Sequence, residues 1–356
     1  MKNEHKALAA EAERARKAPV TDTIGAIAER YLAEYVRVPH MKRGVHRVMR
    51  PNSQREIERL LRVELLPALR DRRLETSRDD IEKLLKVTAK RAPVVANRLL
   101  SWLRAMCTWA KKNRLIAVSP CDGIDPPGVE SSRARILSDK EVRLLWKACE
   151  RVGWPFGVIV KALLLTGQRR EEVGAMTWGE VDLAKAEWRL AGERVKNGRA
   201  HIVPLAPGMI CLLESAPRIA GAKDFVFTAS GERPVSGFSR AKSRIDAEML
   251  SIARADDPAA EIPRWTFHDL RRTTASNLAA LRVQPHVIES VLNHSSGVIK
   301  GVAAIYNRYE YFDEKREALE KWERRVDRLA PGAAPSITPR EAPDVWEFGG
   351  GKAAAE

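Results

Sequence analysis

Apolar positions recur along this chain with a helical period, lose it, and then regain it. From Thr21 to Leu115 the spacing is helical throughout: IGAIAERYLAEYV and REIERLLRVELL place apolar residues three and four apart. Thr76 or Ser77 can cap SRDDIEKLLKVT, and APVVANRLLSWLRAMCTWAKKNRLI carries a stripe through Val95, Leu99, Leu103 and Met106. These segments predict a helical domain over residues 19–118. SPCDGIDPPGVESSRAR, dense in Pro, Gly, Ser and Asp, predicts an interdomain linker over 119–136. Ser138 and Glu141 then show capping-box spacing and open a second domain over 137–328. Inside it the helical period gives way to short β-segments, AEWRL, ERVKNGRAHIVPL and DFVF, before helices return. VKNGRAHIV predicts a hairpin turning tightly at Asn197-Gly198. Residues 1–18 read as a charged helix, and the Pro/Ala/Gly-rich stretch 329–356 as a disordered tail.

Charge adds a partner to this outline. The chain has 356 residues, and 62 Lys and Arg against 47 Asp and Glu give a net charge of +15 spread along its length. A polyanion, with nucleic acid foremost, is the partner this predicts; a soluble protein that is merely basic is the plainer alternative. Cys107, Cys121, Cys149 and Cys211 form no CxxC pair and have no zinc spacing, which suits a reducing cytosol. The N-terminus lacks an apolar signal core, and VIVKALLLTG is interrupted by Lys161 and too short to span a bilayer. A soluble cytoplasmic protein with no membrane partner is therefore expected. The chain also has no glycine-rich nucleotide loop and no metal-ligand spacing, so neither cofactor nor metal is expected.

Candidate chemistry gathers in the second domain. In FHDLRRTTASNLA, His268 and Arg271 stand at i and i+3 and share a helix face, whereas Arg272 points elsewhere and reads as structural. Cations concentrated on one face call for an anion. In LLLTGQRREEVGAMTW an apolar helix ends near Thr166-Gly167 and Arg169 falls beside the next helix start, where an anion is favoured; a surface pair with Glu172 is the alternative. Lys196, just before the Asn-Gly turn, can swing into a neighbouring cleft or stay solvated. His294 follows the apolar helix begun at Pro285 and could equally cap it. Tyr306 lies in a second short amphipathic stretch and could equally be a core residue.

Taken in order from about Leu137 to Trp322, TGQRREEV, RVKNGRAHIVPL, FHDLRRTTAS, VLNHSS and AIYNRYEY resemble the motifs of the tyrosine recombinases, or phage-type integrases. The resemblance implies a mainly α fold. A basic helical core-binding domain would precede a mostly helical catalytic domain with a small antiparallel β-sheet, and residues 1–18 would be a remnant of an arm-binding region. It further implies a phosphate clamp of Arg169 and Arg271, with Lys196 as general acid, His268 as base and His294 as a phosphate ligand. Tyr306 would be the nucleophile that forms a 3′-phosphotyrosine. GVIKG lengthens the stretch before this tyrosine, so Tyr309 and Tyr311 compete for the role; Tyr306 is preferred because it follows AAI and precedes Asn-Arg. The implied partners are double-stranded DNA, further copies of the chain as a tetramer in the synapse, and DNA-bending or excision accessory proteins. The implied role is integration or excision of a prophage or genomic island. Relaxation of DNA in the manner of a type IB topoisomerase and non-catalytic DNA-binding regulation are the alternatives. EYFDEKREALEKW is an amphipathic tail that could dock on a neighbouring protomer and favours the recombinase.

Overall fold

Helical periodicity in the first hundred residues produces helices, with one interruption. The computed structural model describes residues 23–42, 45–130, 134–221, 223–294 and 309–330, and the chain splits into two units, Met1–Ser132 and Arg133–Glu356. In the first unit α1 (Ile24–Tyr31) opens where the Thr23 hydroxyl accepts the Ala26 N–H at 3.2 Å. It is followed by α2 (Pro51–Leu60), the short α3 (Leu66–Leu69), α4 (Arg78–Arg91) and α5 (Pro93–Lys112). Tyr31, Ile57, Leu61, Leu65, Leu99 and Leu103 meet in its core, and Val95 packs at the edge. Ser77 precedes α4, but its hydroxyl donates to the Leu74 carbonyl and closes the previous turn instead of capping the helix.

Two features of this unit depart from a helices-then-linker outline. Between α1 and α2, β1 (His40–Lys42) pairs antiparallel with β2 (Val45–Arg47), with His40 opposite Arg47. Within the Pro- and Gly-dense stretch 119–136, Cys121 and Ile124 are buried in the core. Gly128 exchanges hydrogen bonds with the Asn97 amide at 2.7 and 2.9 Å.

The second unit opens with the capping box at α6 (Asp139–Val152): the Ser138 hydroxyl accepts the Glu141 N–H, and the Glu141 carboxylate accepts the Ser138 N–H. α7 (Phe156–Thr166) is apolar almost all round and buried along its length, so it is the central helix. It stops at Gly167, whose φ of +65° suits a residue without a Cβ. After the short α8 (Arg170–Gly174), β3 (Val181–Asp182), β4 (Glu187–Leu190) and β5 (His201–Pro204) form one antiparallel sheet, with Trp188 opposite Val203 and Leu190 opposite His201. α9 (Pro207–Glu214), α10 (Phe238–Asp256), α11 (Phe267–Ala280), α12 (Pro285–Val291) and α13 (Phe312–Leu329) complete it.

The β-region corrects the expected tight hairpin. Residues 191–200 form a loop between β4 and β5, with a helical turn at Gly192–Arg194. The loop folds on itself because Gly192 has no side chain: a Cβ there would stand 2.7 Å from the Gly198 carbonyl oxygen. Asn197-Gly198 still turns, with the Gly198 N–H donating to the Val195 carbonyl at 3.2 Å, but the turn lies at the loop's far side and does not join paired strands. The DFVF segment contributes a single bridge, Thr177 to Phe225, and buries Val226 and Phe227.

The amphipathic C-terminal segment docks on its own chain. Ala318, Leu319, Trp322 and Val326 of α13 are buried, and the Trp322 indole N–H donates to the Leu164 carbonyl at 2.7 Å. Glu323 accepts the Gly208 and Met209 N–H groups at the start of α9, a carboxylate at a helix N-terminus. Lys315 donates to the Ile202 carbonyl at 2.7 Å, and burial pushes its pKa down to about 8. No described helix is long and apolar enough to cross a membrane. The N-terminal helix expected over residues 1–18 and the tail beyond Ala330 lie outside the described residues.

His201 ties β5 to the end of α12 through a hydrogen bond from Nε2 to the Val291 carbonyl, 3.2 Å long. Burial, and then the nearby Lys315, pushes its pKa down to about 3 against the pull of that carbonyl. An unfolded histidine titrates near 6.5, so the unfolded chain takes up the proton first. The resulting stability is present above about 6.5 and is lost as pH falls from there towards about 3. In urea unfolding at pH 7 down to pH 4, His201→Gln should lose stability less steeply than the wild type. Equal slopes would show that His201 does not titrate between the two states.

Candidate active site

The cationic helix face begins with an acid that serves the helix itself. The carboxylate of Asp269, fully buried, accepts the Thr266 N–H at 2.8 Å and the Thr266 hydroxyl at 2.9 Å, closing the capping box of α11. It also takes the Arg272 guanidinium at 2.6 Å. Burial raises its pKa, yet the Thr266 bonds and Arg272 outweigh this and hold it below the ordinary carboxylate range. Asp269 thereby draws Arg272 aside, as expected, and leaves Arg271 to face inward.

Arg271 is only 4% exposed. Its Nη1 donates to the Gly167 carbonyl at 2.8 Å and its Nη2 to the Leu292 carbonyl. Gly167 ends α7 and Leu292 ends α12, so one guanidinium serves two helix C-termini, whose spare carbonyls carry partial negative charge. Burial, and then Arg169, lowers the Arg271 pKa to about 10, opposed by Glu172. The group remains a cation at neutral pH.

Arg169 caps α8. Its guanidinium donates to Glu172 at 2.8 Å, and its backbone N–H to the other oxygen of the same carboxylate at 3.0 Å. The pairing with Glu172 read from the sequence is present, but Glu172 is buried, so it orients Arg169 rather than decorating a surface. His294 follows α12, with its N–H on the Glu289 carbonyl and its ring Nδ1 4.0 Å from the Glu289 carboxylate. The pKa values of both candidate histidines lie below the ordinary value. Burial is the first cause in each. Arg272, Arg271 and Arg169 add to it for His268, and Arg271, Arg169 and His268 for His294. The placement follows from hydrogen bonds: Arg271 reaches the Gly167 carbonyl, two residues from Arg169, and the Leu292 carbonyl, two residues from His294, while His268 lies one turn before Arg271 on α11.

Lys196 is exposed on the 191–200 loop. That loop is tied to the same neighbourhood by Asn197, whose amide donates to the Asn293 carbonyl at 2.9 Å and to its side-chain oxygen at 2.8 Å. Tyr306 lies outside the described residues. Of its two rivals, Tyr309 is 60% exposed, and Glu314 is the first cause that raises its pKa, which disfavours the phenolate. The Tyr311 ring lies 4.9 Å from His286 and 5.0 Å from Tyr309, on a residue with a φ of 52° just before α13.

The organising feature absent from the sequence reading is the carbonyl end of α12. Val291 accepts from Gln168 Nε2 at 2.8 Å and from His201; Leu292 accepts from Arg271, and Asn293 from Asn197. Only Asn293 was open to discovery from the pattern: an asparagine just past an apolar helix is a common left-handed terminator, and here its φ is 47°.

Residues 135–311 match the phage integrase family model. Prophage integrase IntA of Escherichia coli K12 is 28% identical over 159 residues, which cover 45% of this chain and 36% of IntA. Prophage integrase IntZ of the same strain is 25% identical over 296 residues, 80% of this chain and 69% of IntZ. Among solved structures, a lambda integrase dimer bound to a COC′ core site superposes with a TM-score of 0.60 at 17% identity, covering 78% of this chain and 97% of that one. A lambda integrase tetramer bound to a Holliday junction gives 0.60 at 16% identity, covering 83% and 88%. At such identity the likeness concerns the fold, and it agrees with the mainly helical architecture and small antiparallel sheet described above. Motif order, family model and fold converge: residues 135–311 form a phage integrase family domain of the tyrosine recombinase type.

Proposed function

We propose that this protein cuts and rejoins double-stranded DNA at specific sites through a 3′-phosphotyrosine intermediate, integrating or excising a prophage or genomic island. The observation that carries the reading is that Arg271, on the helix that also bears His268, bonds the Gly167 and Leu292 carbonyls, two residues from Arg169 and two from His294. Two guanidinium forks suit the non-bridging oxygens of one phosphate, because they stay charged and donate in pairs. Arg271 spends two of its five N–H donors on carbonyls and keeps the others for a ligand. Its fixed position means that little reorganisation is needed when charge develops.

In the proposed step the Tyr306 oxygen attacks phosphorus in line with the 5′ oxygen. The tyrosine O–P bond forms as the P–O5′ bond breaks. The phenolic proton passes to His268, and Lys196 delivers a proton to the departing 5′ oxygen. His294 donates a hydrogen bond to the same phosphate. The phosphotyrosine keeps the ester energy, so a 5′ hydroxyl from another duplex reverses the step without a nucleotide cofactor. Double-stranded DNA, a tetrameric synapse and DNA-bending or excision accessory proteins belong to this proposal. The net charge of +15 supports the first of them and predicts binding that weakens steeply with salt.

Nicked duplexes with a randomised segment provide the test, because the nick releases the cleaved fragment and traps the adduct for sequencing. The wild type should yield adducts enriched in one sequence. Tyr306→Phe should bind the recovered duplex and form none; adducts in that variant would move the nucleophile to Tyr309 or Tyr311.

Arg271→Lys keeps the charge and loses the fork, and should slow cleavage by about 10²- to 10³-fold. Near-normal cleavage would remove Arg271 from the reaction.

His268 must be neutral to accept a proton, and its pKa is lowered by burial first and then by Arg272. Single-turnover cleavage should therefore hold at pH 7 and fall on the acid side only below the ordinary histidine value of about 6.5. An acid limb centred above pH 7 would contradict this assignment.

A further inference from the structure

The loop that bears Lys196 has a second anchor that the cleavage chemistry does not use. Asn197 works at both ends of its side chain. Its Oδ1 accepts the Arg199 N–H at 3.1 Å and stiffens its own turn. Its Nδ2 reaches the Asn293 carbonyl at 2.9 Å and the Asn293 Oδ1 at 2.8 Å. Asn293 answers with its own amide on the Arg199 carbonyl at 3.4 Å. Neither asparagine is a core residue; both are half-buried. The pair joins the immediate neighbours of Lys196 and His294.

Asn293 is the more informative partner. Its φ of 47° lies in the left-handed region, which glycine enters without penalty and most residues do not. Glycine would end α12 equally well and bring no side chain. Asparagine tolerates the conformation and adds a side chain that bonds the opposite loop. Without that contact, an exposed lysine on a long loop would have to be ordered anew at each encounter with DNA, at an entropic cost that slows the step it serves.

We propose that the Asn197–Asn293 pair is a positioning device: it holds the Lys196 loop against the His294 segment and sets the general acid over the leaving 5′ oxygen. The proposal rests on the reading of Lys196 as the general acid. Its consequence is specific to the leaving group. A 5′ thiolate, whose thiol has a pKa of about 8.5, departs without help from an acid, whereas a 5′ alkoxide does not.

The test uses the full chain and two nicked duplexes of the sequence recovered from the randomised pool, identical except for oxygen or sulfur at the bridging 5′ position. Lys196→Ala should slow cleavage of the oxygen duplex by about 10²-fold or more and leave the sulfur duplex near the wild-type rate. Asn197→Ala and Asn293→Gly should each lose roughly tenfold on oxygen and recover on sulfur, and the double variant should be no slower than either, as for two halves of one contact. Asn293→Asp keeps the acceptor for Asn197 and should restore most of the rate. Asparagine variants that cut the oxygen duplex normally, or that are equally slow on both duplexes, overturn the positioning role. Lys196→Ala that is equally slow on both overturns the underlying assignment of the acid instead. Independently of cleavage, Asn293→Gly should speed amide exchange across residues 195–200 of the free protein by roughly tenfold; unchanged exchange overturns the proposal.

Discussion

A single buried guanidinium fixes the geometry on which the catalytic unit depends. Arg271 lies between the C-terminal ends of α7 and α12, donating to Gly167 and Leu292. A charge placed there would be costly without partners, and an unpaired helix end would be costly too. Each problem solves the other. The arrangement also explains why α7 must stop at a left-handed glycine: the turn at Gly167 presents its carbonyl to Arg271 and lets the chain re-enter at Arg169 to cap α8. One short segment thus supplies the support for the first arginine and the position of the second.

The end of α12 extends the same logic. Its last carbonyls receive Gln168, His201, Arg271 and Asn197, four donors from three parts of the sequence. Helix termini leave such acceptors open as a matter of geometry, and here they become the junction of the candidate site. His294 follows directly, so its placement is inherited from this junction. α13 adds to it from the other side: Trp322 bonds the α7 backbone and Lys315 the β5 backbone, which ties the helix after the tyrosine segment to the same frame.

The chain's sequence made some of this legible and hid the rest for physical reasons. Capping and periodicity are local, so the Ser138–Glu141 box and the end of α7 at Gly167 could be read directly. The sharing of a face by His268 and Arg271 followed from helix geometry, as did the diversion of Arg272. The short ribbon at 40–47 and the long 191–200 loop could not be read. In the first, helical spacing on either side masked a brief extended stretch. In the second, an Asn-Gly pair signals a turn but not how far the strands run before it. His201 gave no sign beyond alternation along its strand, because its role depends on carbonyls and cations contributed from far along the chain. The docking of α13 on its own unit was equally hidden, since an apolar stripe does not name the surface that covers it.

The central claim is that Arg169 and Arg271 grip one phosphate while a tyrosine replaces its 5′ oxygen. The most direct measurement is a structure of the full chain on its recovered duplex with vanadate in place of the scissile phosphate. The account predicts guanidinium nitrogens of both arginines within hydrogen-bond distance of the same vanadate, with the Tyr306 oxygen at an apical position. Arginines that contact different groups, or a vanadate bound by neither, would contradict it.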